Sequence, residues 1–353
     1  MTDGRPGGPP EGSKVDAAPE AGSHGQEGRL TGREGRRPHG RLYAAVRWGG
    51  VLVFVAIVVA LVVSLLWQAA PAFRHSGFSF IFSGTWNPDA GQFGAGVFIV
   101  DTLITTGVGL LIAIPVGIAT AAALSEFLPR RIGGPLSTCI DLIAAVPSII
   151  VGLWGLLVLI PIFQRDVEPF MQKIPLLKHL FGGGDLGSGI LLASVVLAVM
   201  MLPTMVALTR PALLGVSVAD REAAMALGGT RWQVVRRAVI PGARSGIEAA
   251  ITLSMGRALG EAIAVSLVIG GGVTFPHSLL ANGTTLGSAI VSYFDEATGV
   301  QRSAVIGLAV VLLAFTTVTN IGGQILVRRR GGGYQGALSD PGVGLADTEV
   351  VPA

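Results

Sequence analysis

The stretch Ser217-Val-Ala-Asp220-Arg-Glu222-Ala-Ala-Met-Ala-Leu-Gly228-Gly-Thr230-Arg-Trp-Gln233-Val-Val-Arg-Arg-Ala-Val-Ile240-Pro241 lies between two long apolar runs. Its pattern predicts two short helices joined by a turn. Ser217 with Asp220 three residues later fits a capping box, and Thr230 with Gln233 fits a second one. The residues from Val218 to Leu227 are mostly good helix formers. Gly228-Gly229 ends the first helix, because glycine accepts the left-handed conformation at little cost. The second helix runs to about Ile240, where Pro241-Gly242 breaks it. A compact helix–turn–helix is the expected product.

Outward from this stretch the chain is apolar. Six runs occur at 49–70, 97–123, 136–163, 190–208, 247–270 and 303–327. A bilayer core about 30 Å thick needs roughly 20 helical residues, so each run is long enough to span it. Backbone groups in lipid must pair internally, which favours helices, and the ten-residue alternating segments of a barrel are absent. The sequence therefore predicts an all-α polytopic membrane protein with six transmembrane helices over 43–330. Residues 1–42 are rich in Gly, Pro, Glu and Arg without apolar periodicity and read as a disordered tail. They do not read as a signal peptide, because the first apolar run begins too late and is too long. Residues 331–353 read as a second tail.

Charge places these runs in the membrane. Of the 353 residues 50% are hydrophobic and 13% charged, which argues against a soluble enzyme. The net charge is only +3, but its 25 basic residues are unevenly placed. Nineteen fall in the N-terminal tail through Trp48, the 124–135 and 209–246 connections, and residues 328–330; five fall in the alternate connections. The positive-inside rule therefore puts both termini and the 209–246 connection in the cytoplasm. The single cysteine, Cys139, excludes an internal disulfide. The five histidines form no HExxH pair, so no metal site is expected. None of the three lysines follows a glycine, so no phosphate-binding GxxxxGK[ST] loop exists. The GxGxxG of Gly182–Gly187 and the Asn282-Gly283-Thr284 sequon read as loop turns.

One basic residue, Arg257, sits inside a run. It lies ten residues into 247–270, roughly 15 Å deep at about 1.5 Å per residue. A lone arginine there costs at least about 2.5–3.5 kcal/mol and requires a partner or a watery cavity. Glu261 is at i+4, on the same helical face, so an ion pair is expected. Ser254 precedes Arg257 by three residues on the same run. Gly256 and Gly260 form GxxxG, expected to admit a close helix neighbour. Arginine stays charged and offers a planar donor fork suited to oxyanions, which makes Arg257, Glu261 and Ser254 candidates for an anion path. The plainer, less favoured reading is that the pair merely pins helix packing. Asp101 and Asp141, near the ends of their runs, are expected to be hydrated or to cap. Pro115, Pro147, Pro161 and Pro203 are expected to kink spans, with Pro147 and Ser148 candidates for gating.

Two motifs carry a family resemblance. Glu222-Ala223-Ala224, Gly228, and Ala238-Val-Ile-Pro241 resemble the EAA loop of ABC importer permeases, with Ala238 and Ile240 departing from its I-x-L-P ending. Gly256-Arg257-Ala-Leu-Gly260-Glu261 resembles the GRALGE segment of phosphate (Pst-type) ABC permeases, although Ala262 stands where that family usually has Thr. Trp86-Asn-Pro88 with Phe93-Gly-Ala95, and Ala145–Leu153, resemble further segments of the PstC type. The resemblance implies a type I ABC importer permease fold in a bacterial cytoplasmic membrane, a phosphate substrate, and transport-essential roles for Arg257 and Glu261. It implies a PstA-like permease partner, two PstB-like ATPase subunits docked on Glu222, Ala223, Ala224, Gly228 and Pro241, and a PstS-like phosphate-binding protein outside. ATP and Mg would be used by the ATPase partners; this chain would bind no cofactor, catalyse no reaction and contact lipid but no nucleic acid. A permease for molybdate or sulfate, the PstA-like partner itself, and a secondary anion transporter using Glu261 as a proton carrier are the alternatives. The last leaves the EAA loop unexplained and lacks visible inverted repeats.

Overall fold

The computed structural model describes residues 39–174, 181–182 and 187–335. Most of both expected tails, and the centre of the Gly182–Gly187 turn, lie outside the described residues. The described parts of the expected tails are helical. The first helix already begins at His39 and the last continues to Gln335, so 39–42 and 331–335 extend helices.

The described chain is helical, with only isolated bridges at Asn87–Gln92 and Gly270–Gly283. In order, the elements are α1 (His39–Ser76), α2 (Ser79–Phe82) and α3, which runs from Gly96 to Phe127 and ends in a π-wound turn. Then come α4 (Arg130–Ala144), α5 (Ser148–Gln172), α6 (Ile190–Leu214) and α7 (Val218–Ala226). Next is α8 (Arg231–Val234), which continues through a π-wound turn to Gly242. Last are α9 (Arg244–Leu259), α10 (Ile263–Ser266), α11 (Leu286–Tyr293) and α12 (Gly299–Gln335). The described residues up to Ile57 and those from Val58 belong to two separate units, the division falling within α1. In the first unit the side chains are exposed from Val46 onward, and Arg47 lies 5.8 Å from the Trp48 ring centroid.

Among the described residues five helical stretches are long and apolar enough to cross a membrane: Val46–Ser76, α3, α5, α6 and Gly299–Ile325. Two of the six expected spans are corrected. The third run, 136–163, is not one helix. Pro147 has no N–H to donate, and the residue before a proline is pushed out of the α region, so α4 stops at Ala144 and α5 restarts at Ser148. The spanning helix is therefore α5, shifted toward Gln172. The fifth run, 247–270, breaks after Leu259 into α9 and the short α10.

Pro115 and Pro203 stand inside the α-helical runs of α3 and α6, whereas three other internal prolines follow π-wound turns. The residues before Pro161, Pro169 and Pro241 donate their N–H five residues back, Ile160 to Gly155, Glu168 to Phe163 and Ile240 to Val235. This wider π-type turn absorbs the missing donor and ring of the proline. Pro241 therefore does not break its helix; the turn comes two residues later, at Ala243.

Three apolar clusters hold the second unit. Ile190, Leu192, Val196, Leu197 and Met201 of α6 pack with Val265, Val268 and Ile269 of the fifth run. Trp86 packs edge-on against Phe93 and Phe98 and stacks on Tyr293 at 5.6 Å, beside Leu286 and Leu308. At the other end Leu124, Leu213, Val234, Val239 and Ile247 seat the α7–α8 connection. The first and third clusters both draw on α6, through Ile190–Met201 in one and Val206 and Leu213 in the other.

Candidate translocation site

The interrupted fifth run is built by local chemistry. Gly260 closes α9 with a tight turn, its N–H donating to the Arg257 carbonyl at 3.2 Å, while the Glu261 N–H donates to the Ala258 carbonyl at 3.2 Å. Helical winding thus stops between Arg257 and Glu261, and i+4 no longer means one turn above. The expected ion pair is not formed: neither of the two ion pairs among the described residues joins these side chains. Instead Glu261 Oε1 accepts from the Ala264 N–H at 3.3 Å and caps the restarted helix α10. Arg257 is exposed on α9 and Glu261 is half-buried.

The companions of Arg257 divide differently from the sequence expectation. Ser254, one turn before Arg257 on α9, is wholly buried, and its Oγ has no hydrogen-bond partner among the described residues. Gly256 is a packing glycine, since a Cβ there would run into the Asn320 side chain of α12. Gly260 is not, because a Cβ there would meet nothing closer than 3.7 Å; it terminates the helix instead. Pro147 and Ser148 sit at the α4–α5 break, with Pro147 as the cap and Ser148 as the first helical residue. Asp141 is exposed on α4, in keeping with hydration.

Asp101 departs most from expectation. It is 0% exposed, where a hydrated or capping carboxylate near the surface was expected. Its Oδ2 accepts from the Thr284 N–H at 2.7 Å, and Oδ1 has no partner among the described residues. The signal in the sequence was an acid in an apolar run with no basic residue near it, which calls for an internal partner. The Asn282-Gly283-Thr284 turn is correspondingly an inner, packed segment. Asn282 Oδ1 accepts from Ser188 Oγ at 3.2 Å, and the Gly283 N–H donates to the Ile269 carbonyl at 3.0 Å.

The α7–α8 connection folds as its caps specify. Ser217 Oγ accepts from the Asp220 N–H at 3.1 Å, and the Thr230–Gln233 box is formed in both directions. Gly228 takes φ +81°, the left-handed turn that ends α7. Glu222, Ala223 and Gly228 are exposed and Ala224 is half-buried, while Val218, Met225, Leu227 and Trp232 are exposed apolar side chains on the same connection. The element missed by sequence reasoning is Arg221, counted there only as a charge. Its Nη1 donates to both Glu126 oxygens at 2.7 and 2.6 Å, and Nη2 to the Leu213 carbonyl at 2.6 Å. This clasp ties α7 to the last turn of α3 and the end of α6.

Non-helical backbone at membrane depth is tolerated where it lines protein or a watery cavity, and transport proteins place solute sites at such breaks. A polytopic helical chain with an arginine and a glutamate flanking a mid-run break belongs to that class. The profile of binding-protein-dependent transport system inner membrane components matches residues 113–332, and the chain belongs to this family. It is 37% identical to the phosphate transport system permease protein PstC of Pasteurella multocida, over 80% of this chain and 89% of that one. It is 39% identical to PstC of Mesorhizobium japonicum, over 78% and 85%. With PstC 1 of Mycobacterium tuberculosis it shares 35% identity over 82% and 94%. Among solved structures, a bacterial ABC transporter involved in the import of the acidic polysaccharide alginate aligns at a TM-score of 0.49 and 16% identity, over 82% of this chain and 99% of that one.

Proposed function

We propose that this chain is the PstC-type permease subunit of an ATP-driven phosphate importer. Substrate would pass along the face where Arg257 is exposed beside the broken fifth run, and ATP would be hydrolysed by separate ATPase subunits with Mg. The single observation that carries the reading is Arg257 itself. It is a permanently charged guanidinium, exposed, without an ion-pair partner among the described residues, at the end of a helix interrupted within an apolar run. Its donor fork suits phosphate oxygens, and the names of the similar proteins supply the same substrate. A PstA-like permease would complete the path on that open face. Two PstB-like ATPases would dock on the exposed Glu222, Ala223 and Gly228 surface, and a PstS-like protein would deliver phosphate from outside. The excess of basic residues in the tails and the 209–246 connection supports cytoplasmic termini in a bacterial cytoplasmic membrane.

The test is Arg257→Gln in the assembled complex. Phosphate uptake falls to background while all subunits still co-purify, because the residue lies away from the α7–α8 surface. Normal uptake by that variant would overturn the reading.

A further inference from the structure

Helix α3 holds a pinned contact at each end, and the two pins face the two functional regions. At its Phe127 end, Glu126 receives the Arg221 clasp from α7 at 2.6 Å. At its Gly96 end, consecutive residues take hold of the segment that leads into α11. The Asp101 carboxylate accepts from the Thr284 N–H at 2.7 Å, and Thr102 Oγ1 accepts from the Leu286 N–H at 2.9 Å. Thr102 Oγ1 also donates to the Phe98 carbonyl at 2.6 Å, which fixes its rotamer. Asp101, Thr102, Thr284 and Leu286 are all 2% exposed or less.

The next residue in the chain carries the contact to the helix break. A Cβ on Gly287 would lie 3.0 Å from the Glu261 carbonyl oxygen and 3.1 Å from Ala262. The first turn of α11 therefore rests directly on the backbone of Glu261-Ala262. Position is thus passed from α3 to 284–286, and from Gly287 to the residue that caps α10. Close packing transmits such displacements without slack. Between the pins, Gly109 and Gly117 let α6 approach closely, with Met201 and Met205 against them; this packing on α6 braces α3 on both sides of Pro115.

We propose that Asp101 and Thr102 are positioning residues for transport. They make α3 a rod that carries movement of the Arg221–Glu126 clasp to the Glu261 break. Neither side chain is placed in contact with substrate. The proposal rests on the reading of the break as the translocation site, and it accounts for a buried carboxylate whose only hydrogen bond among the described residues is to the Thr284 N–H.

The experiment uses the complete complex in liposomes, with its permease partner, ATPases and binding protein, and compares Asp101→Asn, Asp101→Leu and Thr102→Val. Asparagine retains an oxygen acceptor for the Thr284 N–H; leucine and valine remove their acceptors. Loss of one buried acceptor is worth about a tenfold effect on an equilibrium. The phosphate moved per ATP hydrolysed is therefore expected to fall about tenfold in Asp101→Leu and Thr102→Val and to stay near wild type in Asp101→Asn. The concentration of loaded binding protein that half-saturates the ATPase should be unchanged in all three. A purely structural role would lower both uptake and ATPase in step with assembled complex, leaving the ratio intact, and that result would overturn the proposal. So would failure of both acceptor-less variants to assemble. A second readout separates this proposal from the translocation reading. In a Cys139→Ser background, maleimide labelling of Ile263→Cys, exposed at the start of α10, should change in rate with Asp101→Leu and not with Asp101→Asn. An unchanged rate refutes the positioning role whatever the route of phosphate, whereas normal uptake in Arg257→Gln refutes the path on which the proposal rests, so the two failures are read from different variants.

Discussion

At the scale of single residues, the α7–α8 connection divides its side chains between holding and presenting. Arg221 turns inward to Glu126 and the Leu213 carbonyl, with both charges of the pair largely screened from solvent. Glu222, its neighbour in sequence, points outward with Ala223. A surface of small alanines, one carboxylate and exposed Leu227 and Trp232 suits close docking on another protein. Like charges brought together at an interface cost several kcal/mol. Glu222→Lys should therefore weaken attachment of the ATPase subunits by about tenfold or more, measured as ATPase co-purified per permease; unchanged co-purification would refute the docking role. These residues were legible in the sequence because caps and turns are local: Ser217, Thr230, Gln233 and Gly228 are recognised within four positions of their partners. Arg221 was not, since its partner lies 95 residues away and charge alone does not say where a guanidinium turns. Asp101 failed for the same reason, its partner Thr284 being supplied by the fold.

At the scale of elements, the apolar runs revealed which segments enter the membrane but not where they break. Hydropathy averages over a window, whereas a break is set by one residue. Pro147 divided the third run, yet Pro161, Pro169 and Pro241 are carried within helices because a π-type turn precedes each. The fifth run shows the opposite case, in which a glycine with φ −87° ends a helix without any proline. The i+4 pairing of Arg257 with Glu261 depended on uninterrupted winding and was lost with it. What survives of the GxxxG reading is Gly256, whose missing side chain lets α9 and α12 meet at Asn320. Gly256→Leu should lower the stability of the purified complex by roughly 1–3 kcal/mol through overpacking. Gly260→Ala, with open space around it, should cost much less. Thermal unfolding of the two variants side by side checks this, and equal losses would contradict the packing assignment.

At the scale of the whole molecule, the small net charge of +3 conceals an uneven spread of basic residues along the chain, and the fold places its two polar contact regions at different ends of α3. The polar α7–α8 connection and the Glu126 clasp lie at one end of α3; the pinned 284–287 segment and the Glu261 break lie toward the other. Family membership and class were readable from composition, run lengths and two short motifs. The linkage between the two ends was not, because the hydrogen bonds that pin α3 join residues separated by 95 to 184 positions. The central claim is that this chain conducts phosphate as part of an ATP-driven importer. The direct measurement is radiolabelled phosphate uptake by the purified complex in liposomes, with excess sulfate or molybdate as competitors. The account predicts ATP-dependent accumulation of phosphate that neither competitor suppresses. Displacement of phosphate by sulfate or molybdate, or accumulation that proceeds without ATP, would contradict it.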